Sequence, residues 1–76
     1  MIKPGDVVEL LPNNQRNRQL RKQEGKMDWT VIKIDPRTIC FNHKEGILIQ
    51  SIQESDHTRW VQREDIVLKE FEENTR

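Results

Sequence analysis

The chain has 76 residues, enough for one domain, and a chain this short buries only about 60% of its unfolded surface, which leaves little to shape a deep catalytic pocket and favours a binding module over an enzyme. Thirteen Lys and Arg balance thirteen Asp and Glu, so the formal net charge is zero, which argues against strong nonspecific affinity for nucleic acid; the 33% hydrophobic residues suffice for a thin core. The longest apolar runs, such as Ile47, Leu48 and Ile49, fall far short of the roughly 20 residues a membrane helix needs, and "MIKPGDVVEL" offers no signal-peptide apolar region, so cytoplasmic residence is the default expectation.

In chain order, Pro4-Gly5 signals a turn, and residues 6–11 alternate Val8 and Leu10 with Glu9, which predicts a strand ended by Pro12. A polar, basic segment follows as far as Gly25. "DWTVIKID" is rich in β-branched and aromatic residues and predicts a second strand; Asp35-Pro36 then predicts a tight hairpin into "RTICFN". "NHKEG" predicts a further turn with Gly46 in the left-handed region, and "ILIQSIQ" returns as a strand. After the loop "ESDH" comes "TRWVQ", and "REDIVLKEF" reads as one helical turn or a tight bend entering a short last strand with Ile66 and Leu68 inward. The domain is expected over residues 1–71, with a frayed tail over 72–76 that lacks apolar anchors.

Several short strands joined by tight turns, without sustained helical periodicity, predict a mainly β fold: a small antiparallel barrel or sandwich. "DWTVIKID" conflicts with simple alternation, because Trp29 and Val31 share one parity while Ile32 and Ile34 share the other. A bulge or sharp bend near Val31 would turn both pairs inward; otherwise one pair faces a partner. The expected core comprises Val8, Leu10, Val31, Ile39, Phe41, Ile49, Trp60 and Ile66, with Trp29 and Cys40 also assigned to the interior.

Gly5-Asp6-Val7-Val8, then Gly25 followed by Trp29-Thr30-Val31, then "RWVQREDIVL" together resemble an SH3-like barrel of the KOW and Tudor type. The resemblance spans most of the chain and implies a noncatalytic domain that binds nucleic acid, nucleoprotein complexes or peptides through its loops. The absence of Tyr leaves a peptide-binding SH3 groove and a full methyl-lysine cage without their usual residues, and a long charged insert precedes Gly25.

That insert, residues 13–26, carries Arg16, Arg18, Arg21, Lys22 and Lys26 against the single acidic Glu24. Asn13 or Asn14 could cap a short helix and Gly25 could end it. At 100° per residue, Leu20 would dock while Arg18, Arg21 and Lys22 cluster on the opposite side. One reading is a solvated surface paired with Glu64, Asp65, Glu70, Glu72 and Glu73. The other is a binding site in which Arg18 and Arg21 fork onto phosphates and Lys22, Arg16 and Lys26 add less directional charge, for nucleic acid, a nucleoprotein complex or, as the alternative, an acidic protein surface. Trp60, flanked by Arg59, is the candidate interface aromatic.

Other constellations read as structural. His43 and His57 fall in turns and, with Cys40, lack metal-ligand spacing. Asp56 and His57 near Ser51 or Ser55 come without a nucleophile elbow, and Glu64 and Asp65 without an apolar enclosure, so neither a catalytic residue nor a cofactor is expected.

Overall fold

Alternation of Val8 and Leu10 with polar neighbours has its predicted consequence: in the computed structural model, which describes residues 2–25 and 27–69, strand β1 spans Val7–Leu10 with those two side chains buried. Helix α1 (Gln15–Glu24) follows, then strands β2 (Asp28–Thr38), β3 (Lys44–Ser51), β4 (Thr58–Val61) and β5 (Ile66–Leu68). A 3-10 turn over Ile39–Phe41 separates β2 from β3, and a second over Arg63–Asp65 leads into β5. The strands form one antiparallel sheet in the order β4-β3-β2-β1-β5. Its edges, β4 and β5, do not pair with each other, so the sheet is open where a closed barrel was expected.

The parity conflict in β2 is settled by a bulge. Val31 stands opposite Ile49 and Lys33 opposite Leu48, leaving Ile32 as the extra residue in the ladder. The frame shift puts Trp29 and Val31 on the core side before the bulge and lets Ile34, opposite Ile47, pack against the same core after it. Ile32 itself is exposed, so the bulge brings in three of the four apolar side chains.

Asp35-Pro36 does not form the predicted hairpin. β2 continues to Thr38 through a second irregularity, with Asp35 opposite Gly46 and Thr38 opposite Lys44. Asp35 Oδ1 accepts a hydrogen bond from the Arg37 N–H at 2.9 Å, a local turn inside a bulge where Pro36 need not donate to the ladder. Reversal comes later: Asn42 and His43 occupy the left-handed region, and the His43 N–H donates to the Thr38 carbonyl at 2.8 Å. Gly46, expected to supply the left-handed turn residue, lies within β3 instead; a Cβ there would collide with the Thr38 side chain across the strand pair.

The displaced hairpin corrects the core assignment. Val8, Leu10, Val31, Ile49 and Ile66 are buried as expected, together with Trp29, Ile47 and Val61. Ile39 is 81% exposed and Cys40 is also exposed, because both sit in the turn and not in a strand; Phe41 and Trp60 are half-buried. Trp60 falls on the wrong parity, since Val61 takes the inward position opposite Ile47 while Trp60 stands opposite Leu48 on the other face. The predicted turn at Arg63–Asp65 is present, and Ile66 is buried, but Leu68 is exposed. At this end, Arg63 donates to both carboxylate oxygens of Glu45, at 2.8 and 3.1 Å; that hydrogen-bonded guanidinium lowers the Glu45 pKa. Phe71 and the tail over 72–76 lie outside the described residues.

The two isoleucines give a direct test. Ile49→Ala should cost about 2–5 kcal/mol by leaving a cavity, whereas Ile39→Ala should change stability by about 0.5 kcal/mol or less, both read from urea denaturation midpoints. Equal losses would place Ile39 in the core after all.

Candidate basic interface

Both ends of α1 are where the sequence put them. Asn14, in extended conformation, accepts from the Asn17 N–H at 2.8 Å, and Gly25, at φ 74°, donates its N–H to the Arg21 carbonyl at 2.9 Å. A ten-residue helix is too short to persist alone in water, so its position depends on docking.

The docked stripe is Asn17, Leu20, Arg21 and Glu24, the i, i+3, i+4, i+7 spacing of one helix face. Asn17 is buried, and its Nδ2 donates to Asn13 Oδ1 at 2.8 Å and to Asp65 Oδ1 at 3.2 Å. Leu20 packs against the core. Arg21 is half-buried and its Nη1 donates to the Leu10 carbonyl at 3.3 Å. Glu24 receives two hydrogen bonds from Arg59, at 3.2 and 2.5 Å, with side chains only 17% and 12% exposed respectively. The Arg59 guanidinium lies 4.8 Å from the centre of the buried Trp29 ring, and His57 meets that ring edge-on at 5.9 Å while its Nε2 lies 3.6 Å from Glu24. The helix is thus held at one end by an Asn–Asp hydrogen bond beside β5 and at the other by a bidentate ion pair from β4.

This docking splits the expected basic cluster. Arg21 faces inward and is removed from it, because the stripe's axis lies between Leu20 and Arg21 and not on Leu20. Arg18 and Lys22 remain exposed and, with Gln15, Gln19 and Pro12, line a shallow depression of about 420 Å³. Arg16 is exposed on the flank of the helix, where it joins Cys40, Phe41, Leu48, Thr58, Arg59 and Trp60 around a second cleft of about 460 Å³. Lys26 lies outside the described residues. Among the described residues, Arg16, Arg18 and Lys22 have no carboxylate partner, and the helix's own acid, Glu24, is engaged by Arg59. Among the described residues, the expected pairing of the insert with downstream acids takes the form of Asp65 holding Asn17, and of the Glu64 backbone carbonyl, not its carboxylate, accepting from Asn13 at 2.7 Å. Glu70, Glu72 and Glu73 lie outside the described residues.

Sequence reasoning missed three participants: Glu24, Arg59 and Lys33, whose ammonium sits 5.7 Å from the Trp60 ring centre. The parity of β4 carried a signal for Arg59, which shares the inward side with Val61 and stands opposite the buried Ile49. Cys40 is exposed in the hairpin turn, and His43 and His57 lie in loops as expected. Among the described residues no three His, Cys, Asp or Glu side chains are grouped to hold a metal ion, and no helix is long and apolar enough to cross a membrane. Comparison of the chain with protein-family models, curated proteins and solved structures finds no match.

The clamp predicts a measurable coupling. Glu24→Ala removes two charge-assisted hydrogen bonds from a partly buried guanidinium and should lower unfolding free energy by about 1.5–3 kcal/mol in urea titration. An unchanged midpoint would mean that α1 is held without it.

Proposed function

We propose that the protein is a noncatalytic, SH3-like binding module that contacts nucleic acid, alone or within a nucleoprotein complex, through the exposed side of α1. The observation that carries this reading is the charge arrangement on the helix: Arg16, Arg18 and Lys22 are exposed and, among the described residues, without acidic partners, in a protein whose net charge is zero. Helix stability alone does not ask for this. The first turn of α1 contains no acidic residue and carries Arg16, a cation at the positive end of the helix dipole, an unfavourable placement of about 0.3–1 kcal/mol; Arg18 and Lys22, four residues apart, repel each other. Local choices that oppose stability without a structural return are expected where a ligand supplies the compensation, and phosphate oxygens are the matching ligand for two arginines and a lysine.

The SH3-like part of the reading rests on the strand order β4-β3-β2-β1-β5, on a long β2 bent at Ile32, and on the 3-10 turn between β4 and β5. In this reading α1 occupies the first long loop of such a domain and packs beside the gap that the open sheet leaves.

Replacing Arg16, Arg18 and Lys22 together by Gln should leave the unfolding midpoint nearly unchanged, since exposed substitutions typically alter stability by about 0.5 kcal/mol or less each. Affinity for fluorescein-labelled oligonucleotides, read by anisotropy at low salt, should fall sharply, and the slope of log affinity against log salt for duplex DNA should decrease by about 0.9 for each phosphate that the variant no longer neutralises. Wild-type protein that binds neither DNA nor RNA at low salt would overturn the reading and leave an acidic protein surface as the partner.

A further inference from the structure

We infer that the cleft between Trp60 and Phe41 is a stacking site for an unpaired base, which makes the preferred ligand single-stranded nucleic acid; the inference rests on the basic-face reading and narrows its substrate. Four aromatic residues occur in the chain. Trp29 is in the core, Phe71 is outside the described residues, and the other two, Phe41 and Trp60, line this one cleft.

Neither aromatic is required there by the core. Trp60 lies on the face of β4 opposite to the buried Val61, in a row across three strands with Leu48 and Lys33. Leu48 and Trp60 are only partly buried there, Phe41 and Arg16 border the same cleft, and β4 is an edge strand. A tryptophan left only half-buried on an edge strand is a costly choice for a domain with so small a core, and a ring with an accessible rim is the usual anchor of an interface. At about 460 Å³ the cleft falls in the size range of small-ligand pockets, roughly 300–1,000 Å³.

Charge decides among occupants. Among the described residues no carboxylate lines the cleft, Arg16 reaches it from the helix, and Lys33 lies 5.7 Å from the Trp60 ring. Arg16 lines the aromatic cleft and can meet the phosphate of a base held there, while Arg18 and Lys22 line a separate depression on another flank of α1. Cations that track a backbone beside rings that accept bases are the composition of single-strand sites. A duplex keeps its bases stacked internally and has none to offer, so it can use the basic residues but not the rings.

The test compares a labelled single-stranded dT12 with a blunt DNA duplex of the same length at low salt. Trp60→Ala should weaken dT12 binding about 5- to 150-fold, the range expected when one base is deprived of its aromatic platform, and change duplex binding less than twofold. Trp60→Phe should retain most of the dT12 affinity. In the wild type, dT12 but not duplex should quench tryptophan emission, and the quenching should vanish in Trp60→Phe because Trp29 is buried; this readout does not depend on the alanine variant folding. Equal losses for both ligands, or no loss and no quenching, would overturn the stacking site while leaving the basic-face reading intact. Absence of any nucleic-acid binding by the wild type would overturn both.

Discussion

The placement of α1, and with it of the basic surface, depends on the ion pair between Glu24 and Arg59 above the Trp29 ring. A helix of ten residues has too few internal hydrogen bonds to offset its nucleation cost, so α1 exists as ordered structure only while something holds it. Asn17 secures its first half beside Asp65, and Glu24 secures its last turn to β4. Because Arg59 also lies over Trp29, the same guanidinium connects the helix to the largest buried side chain. The direction in which Arg16, Arg18 and Lys22 point follows from this attachment: once Asn17, Leu20, Arg21 and Glu24 are turned inward, helical geometry leaves the other cations no place but the surface.

Much of this is legible in the sequence because local chemistry decides it. Asn14 and Gly25 bound the helix as caps do, and the parity break in "DWTVIKID" signals an irregularity near Val31, which the strand pairing resolves as the bulge at Ile32. Where tertiary pairing competes with local preference, local preference loses. Asp35-Pro36 has strong turn chemistry, yet pairing of Asp35 with Gly46 carries β2 onward, and the dipeptide is absorbed into a bulge where the missing proline N–H does no harm. That extension moves Ile39, Cys40 and Phe41 from an expected strand into a turn, which is why three residues assigned to the core from their apolar character stand wholly or partly at the surface.

The inward position of Arg21 has a different origin. Leu20 is the one apolar residue in the insert, so hydrophobicity centres the docking face on it; a buried Asn17 and an ion-paired Glu24 shift the centre toward Arg21, and no hydrophobicity pattern reports such polar docking. Charge neutrality proves equally uninformative when taken as a sum. Glu45 is matched by Arg63, Asp28 by Lys69, and Glu24 by Arg59, and what remains on the helix surface is positive. In a neutral molecule, cations left without a carboxylate partner among the described residues can still gather on one helix.

The most direct measurement of this dependence is amide hydrogen exchange of the wild-type protein, followed residue by residue by NMR in the absence of any ligand. If docking creates the helix, amides in the second half of α1, from Gln19 to Glu24, should be protected well beyond the level of a free peptide and approach the protection of β2 and β3. Exchange of those amides at free-peptide rates, with β2 and β3 still protected, would show that α1 is not held by the Glu24–Arg59 pair and would contradict the central claim.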